Sequence, residues 1–311
     1  MGAFEGASRA GSGRAQIEWP TWFALTGCYT IWALALWFAP GLGWWYALPG
    51  ALTVAFHSSL QHEILHGHPT RNGLLNEALV FPALGLFIPY RRFRDLHLKH
   101  HNDERLTDPY DDPESFYLTS SDWSGRCALI CLLLRFNATF AGRMVIGPAL
   151  AMWGFWRSEA RLILGGDRGV AGAWMRHAIG VALVVLAIWT AGMELWFYIL
   201  SAAYPGMSLI MVRSYIEHRA VENASERTAI VEGGAFWRLL FLNNNFHAVH
   251  HERPSLAWYR IPALWRNERT QVLNRNGGYV LPGYGAIAKR WLVRAREPVV
   301  HPIPHRDTDT R

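Results

Sequence analysis

Residues 21–39 read TWFALTGCYTIWALALWFA. This stretch carries no charge, and at 1.5 Å per residue it spans about 28 Å, close to the hydrocarbon thickness of a bilayer. PGLG at 40–43 then makes a tight turn, and a second apolar run, 44–60, leads directly into His62. Two more runs, at about 178–192 and 195–212, are joined by a short turn around Ala191–Glu194. One such run would suit a buried helix of a soluble protein. Two pairs, each closed by a short turn, read as two transmembrane hairpins. The expected fold class is an all-α membrane protein: about four transmembrane helices in two hairpins, with a cytoplasmic helical cap holding a metal site.

Composition agrees. Apolar residues make up 51% and charged residues 17%, below the roughly 25% charged share of ordinary soluble domains. The sixteen tryptophans suit a membrane interface, where a ring sits half in lipid and half in water. The formal charge is +6, but the basic residues lie between apolar blocks. An anionic membrane surface is therefore the expected partner, and no nucleic acid. The turns at 40–43 and 191–194 carry no Lys or Arg, whereas 67–176 carries Arg71, Arg91, Arg92, Arg94, Lys99, Arg105, Arg157 and Arg161. Positive residues stay cytoplasmic, so both termini and the middle segment should face that side.

The chain divides into a Gly/Ala/Ser-rich disordered tail, 1–18, a membrane domain, 19–290, and a loose tail, 291–311. No cleavable signal peptide is expected. The apolar but interrupted stretches 74–90 and 127–156 read as interfacial or re-entrant helices, the rival being one further span. Cys127 and Cys131, four apart in an apolar stretch, read as small buried hydrophobes, and three cysteines form no disulfide framework.

Eight of the fourteen histidines lie in three short boxes: His62 and His66 in HEILH, His97, His100 and His101 in HLKHH, His247, His250 and His251 in HAVHH. Positions i, i+3 and i+4 share a helix face, so each box points its imidazoles at one spot. Eight imidazoles exceed the needs of one metal ion and suit two. Imidazole accepts Zn, Cu, Fe and Ni, so ligand type alone names no metal. HEILH also fits the zinc-protease pattern with Glu63 as base, but that reading leaves the two HxxHH boxes unexplained. A metal carrier would place its histidines along the spans, whereas these sit at their ends.

The three boxes in this order resemble the membrane fatty acid desaturase superfamily, over roughly residues 20–270. The resemblance implies a ninth ligand about thirty residues before the third box, and His218 in SYIEHR stands there. It further implies two iron ions, dioxygen as co-substrate and electrons from outside. No cytochrome b5-like or ferredoxin-like segment is visible, so a separate ferredoxin or cytochrome-type donor is expected. The substrate the resemblance implies is a membrane lipid or acyl chain, most simply desaturated; lipid hydroxylation or carotenoid ketolation or hydroxylation is the alternative. Such an enzyme suits a bacterial inner membrane, with the metal site cytoplasmic.

Ligating imidazoles usually donate their second N–H to a carboxylate or carbonyl. Asp95, Asp103, Asp108, Asp111, Asp112 and Glu252 are near enough in sequence, and Asn243, Asn244 and Asn245 precede the third box. His57 reads as a core residue and His68 as a supporting one, while His177, His301 and His305 read as solvated or interfacial. Trp32, Trp37 and Phe56 are candidates to shape an acyl tunnel. Arg91, Arg92 and Arg94 are candidates to hold an anionic headgroup or an acidic electron donor.

Overall fold

The computed structural model describes residues 17–101 and 105–303. The expected disordered tail, apart from its last two residues, together with Asp103 and His305, lies outside them. The chain is mostly helical. Among the described residues three segments are long and apolar enough to cross a membrane: Trp19–Leu65, Arg168–Thr190 and Leu195–Glu217.

The first segment is 47 residues long because two helices follow without a break. Helix α1 (Trp19–Leu42) gives way to a 3₁₀ turn at Gly43–Tyr46, and α2 (Ala47–Leu65) returns alongside it. Gly43 makes the reversal with φ of 53°, a conformation that a side chain would strain. The two helices are antiparallel: Cys28 Sγ donates to the Thr53 carbonyl and the Tyr29 hydroxyl meets His57 Nε2 at 3.1 Å. His57 is thus a core residue, as its sequence position implied.

The second hairpin pairs α3 (Arg168–Thr190) with α4 (Leu195–Glu217), which carries a π-helical turn at Ile199–Ala203. The two turns lie at the same end, since Trp44 packs edge-on to Phe197 with centroids 4.7 Å apart. Trp44, Trp45, Trp189 and Trp196 are all exposed there, as an aromatic belt requires. Outer faces of the spans expose Phe23, Ile31, Leu34, Trp37, Leu183 and Leu186. Trp37 therefore faces outward and does not line an interior path. Trp32 is half-buried, with Nε1 donating to the Tyr198 hydroxyl at 3.1 Å.

Residues 74–90 form only a short helix, Gly73–Leu79, and then enter the bundle as irregular backbone. Val80 and Leu84 are fully buried, and Leu84 shares a core with Ala35, Leu36, Val184, Ile188 and Tyr198. Backbone groups at that depth need internal partners. The Leu84 carbonyl accepts from the Tyr198 hydroxyl at 2.9 Å, and the Leu86 carbonyl from His177 Nε2 at 2.9 Å. Gly180 permits the approach, because a Cβ there would lie 2.5 Å from the Phe81 carbonyl oxygen. After its short helix this segment packs inside the bundle as coil, where helix was expected. His177 is accordingly buried, not solvated: its ring caps this coil.

The stretch 127–156 forms Ala128–Asn137, Phe140–Val145 and most of Gly147–Leu164. Ala128–Asn137 buries no residue, so Cys127 is exposed and Cys131 only half-buried, contrary to the core role expected of them. Ten residues cannot cross a bilayer, and no further span arises here among the described residues. Within the tail read as loose, 296–303 is packed. Leu118 bridges Val300 in parallel, and the Arg296 side chain is 5% exposed. Guanidinium bonds to the Tyr279 hydroxyl and the His218 carbonyl hold it there.

Candidate metal centre

Three short elements and one chain reversal carry the boxes. His62 lies in the last turn of α2 and His66 caps it. His97, His100 and His101 end helix α5 (Tyr90–His101), and His247, His250 and His251 occupy α6 (His247–Glu252). His218 follows α4 directly, where the backbone turns extended at φ −127° and ψ 149°. All of them sit at the end of the bundle away from the tryptophan-bearing turns.

The structure brings all nine histidines together, in two groups. His62, His66, His97, His101 and His250 form one; His100, His218, His247 and His251 form the other. Within each, the candidate ligand atoms lie within 4.8 Å of one another. The boxes therefore do not each point at one spot. In both HxxHH boxes the i, i+4 pair joins one group and the i+3 imidazole joins the other. At 100° per residue, i+4 lies about 40° from i while i+3 lies about 60° away on the opposite side. His97 and His101 thus face one group and His100 the other; His247 and His251 face the second group and His250 the first.

The donor set fits a metal pair. Nε2 atoms face each other at 3.0 Å for His97 and His101, His101 and His250, His218 and His247, and His247 and His251. His97 Nδ1 donates to Glu114 at 2.7 Å and His100 Nδ1 to Asp112 at 2.8 Å. A neutral ring that donates from Nδ1 presents a bare lone pair at Nε2. Lone pairs so close repel unless a cation lies between them. Nitrogens about 3.0 Å apart are close enough to hold one ion between them. The His66 Nε2 atom is buried and has no hydrogen-bond partner among the described residues.

Electrostatics point the same way. Burial, then the neighbouring imidazoles, pushes His101 down to about 2 and His66 to about 3. Burial also holds His218, His247, His250 and His251 well below the ordinary histidine range. These rings are neutral at pH 7, as ligands must be. His100 is the exception. Burial lowers it, but Glu114 and Asp112 outweigh that and bring it to about 9. The carboxylates that stabilise a proton there stabilise a metal cation equally.

Of the acids expected to support the ligands, Asp112 does so, and it also accepts the Thr107 N–H at 2.8 Å. Asp95 pairs with Arg94, Asp111 with Arg105, and Glu252 with Arg275. Asp108 accepts from the Tyr110 and Asp111 amides. Sequence reasoning missed Glu114, and it missed Glu217, whose Oε1 lies 3.3 Å from His247 Nδ1. Glu217 was legible in principle, as a lone acid at the end of an apolar span beside a candidate ligand. Among the three asparagines, Asn244 reaches both groups: Oδ1 accepts from His247 Nδ1 at 3.1 Å and Nδ2 lies 3.3 Å from His62 Nε2.

Other expectations resolve plainly. Glu63 accepts the Trp258 amide at 3.0 Å and faces His68, which pairs with Glu18. It is not placed as the base of a zinc protease. Arg91 is bidentate to Glu77 and Arg92 to Glu159. With Arg94 on Asp95, the basic cluster is neutralised within the chain rather than offered to a headgroup. His301 is half-buried, with Nδ1 donating to the Ile303 carbonyl.

The family model for fatty acid desaturases matches residues 42–282, and the chain belongs to that family. No curated protein matches it. The histidine boxes and most of the bundle fall inside the matched stretch, while the packed segment 296–303 lies beyond it.

Proposed function

We propose that the protein is an oxygen-dependent di-iron enzyme that oxidises an acyl chain, most simply by desaturating a fatty acid or acyl-lipid. The observation that carries this reading is the pair of all-imidazole groups, five and four rings, set side by side at one end of an apolar bundle. His62, His66, His97, His101 and His250 would hold one iron ion, and His100, His218, His247 and His251 the other. When bound, the irons supply the activation of dioxygen that side chains cannot, with electrons from a separate ferredoxin or cytochrome-type donor.

The chain's own residues do the rest. Asp112, Glu114 and Glu217 orient imidazoles and offset the charge of the ions. Burial of five of the nine ligating rings keeps water from the reacting carbon. The apolar spans offer a route by which a lipid chain enters from the bilayer. The turns without Lys or Arg and the basic connections support four crossings in two hairpins, with both termini and the metal site in the cytoplasm of a bacterial inner membrane.

Lipid analysis of cells with and without the protein tests the reading. A new unsaturated acyl chain is the expected product. A hydroxylated or ketolated lipid with no new double bond removes desaturation in favour of oxygen insertion. Tight zinc with no iron, even after anaerobic reconstitution, would sink the di-iron assignment.

A further inference from the structure

We propose that the cleft between Phe140–Val145 and the packed C-terminal segment binds the oxyanion head of a membrane lipid, a carboxylate or a phosphodiester, on Arg143. The proposal does not depend on the desaturase reading, because the cleft lies outside both histidine groups.

The cleft is narrow, with a volume of about 20 Å³, enough to admit the oxygens of one oxyanion, and is lined by Phe116, Leu134, Asn137, Arg143, Arg296 and Val299, among others. Arg143 is 7% exposed. It donates from Nε to the Asn137 carbonyl at 3.3 Å and lies over the rings of Phe116 and Tyr215 at 4.7 and 5.9 Å. Among the described residues no carboxylate pairs with it. A buried charge is costly unless paired, and ring faces and one carbonyl replace only part of its hydration.

Glu297 also lines the cleft, but its carboxylate is committed. It accepts from the Tyr117 hydroxyl at 2.9 Å and faces Arg296 at 3.9 Å. It therefore offsets Arg296 and leaves Arg143 as the unmatched charge. Burial and the repulsion of Arg296 pull the Arg143 guanidinium down to about 10, the strain that a bound anion would relieve. Asn137, which also lines the cleft, has a buried Oδ1 without a hydrogen-bond donor among the described residues. A guanidinium fork matches two oxygens of a carboxylate or phosphate.

The surroundings favour a lipid over a soluble anion. Leu134 and Asn137 come from the helix Ala128–Asn137, whose exposed Leu129, Leu132 and Phe136 recur at i, i+3 and i+7. Such a stripe lies in a membrane interface. Arg126 and Arg135, exposed beside it, draw anionic lipid to the mouth.

Native mass spectrometry of the full-length protein in nanodiscs tests this with two matched probe pairs: oleate against oleyl alcohol, and phosphatidylglycerol against diacylglycerol. The wild type is expected to hold at least one anionic probe about tenfold more tightly than its neutral partner. Whichever pair shows the preference identifies the source of the oxyanion. Arg143→Met should abolish the preference and Arg143→Lys should keep part of it. Should Arg143→Met fail to fold, Val299→Trp fills the cleft with the guanidinium intact and should abolish it too. Equal retention of charged and neutral probes by the wild type overturns the proposal, as does a preference that survives Arg143→Met or Val299→Trp in full.

Discussion

His101 and His251 stack across the boundary between the two imidazole groups, with ring centroids 4.2 Å apart and planes 28° from parallel. One belongs to the five-ring group and the other to the four-ring group. The two groups are therefore in contact, and loss of a ring from one removes a wall of the other. His100→Ala should lower bound iron from about two ions per chain toward one, and abolish turnover, while membrane insertion stays normal. Iron content by elemental analysis checks this. Wild-type iron and activity in His100→Ala, or in the equivalent His97→Ala or His251→Ala, would argue against that ligand.

Glu114 and Asp112 act through His97 and His100 rather than on an ion. Glu114→Gln and Asp112→Asn keep the shape but remove the charge, and should weaken iron binding by about 10- to 100-fold. Competition with a graded chelator measures the affinity. Asp112→Ala should cost more, because the Thr107 amide loses its acceptor as well.

Acid should empty the site. Unfolded histidines take up protons near pH 6.5, whereas burial keeps His66, His101, His218, His247, His250 and His251 neutral to far lower pH. In the metal-free protein the unfolded state thus binds more protons below about 6.5, and stability falls as pH falls through that window. His100 has the opposite sign: raised to about 9, it favours the fold below 6.5 and loses that contribution as pH rises through 9. Six rings against one make acid the weaker side. Thermal unfolding of chelator-treated protein from pH 5 to 9.5 should show a steep decline at the acid end and a shallow one near 9.

Tyr198 satisfies a backbone carbonyl in the middle of the bundle. Tyr198→Phe leaves the Leu84 oxygen without its donor and should cost about 1–3 kcal/mol. Gly180→Ala presses a Cβ against the Phe81 carbonyl and should cost a similar amount by displacing the re-entrant coil. Thermal unfolding in detergent reads both, and unchanged stability in both would mean that the coil is not held as described.

Whereas His218 was marked only by the family resemblance, eight of the nine histidines were legible because i, i+3, i+4 spacing survives any tertiary arrangement. Their grouping was not, because it depends on how the ends of α5 and α6 meet across nearly 150 residues of chain. Asp112 was found as one acid among several nearby, but nothing local separated it from Asp111 or Asp108. Glu114 and Glu217 were missed because each meets its histidine only through folding. The apolar runs announced the hairpins, yet the same apolar character in 80–89 belongs to coil, since its carbonyls find side-chain donors on other elements. Residues 296–303 read as loose because Pro and charge dominate there, and nothing local signals that Arg296 ends up under His218.

The distribution of the two groups along the chain sets an order of events in biosynthesis. The five-ring group needs His250 as well as His62, and the four-ring group needs His251 as well as His100. The first hairpin emerges from the ribosome long before either partner exists. On the proposed function, neither ion could be fully held until the final fifth of the polypeptide is being made, and the Arg296 bond to the His218 carbonyl arrives later still. Maturation is thus a closing step: an apo bundle must stand in the bilayer first, and the last stretch of chain seals the site.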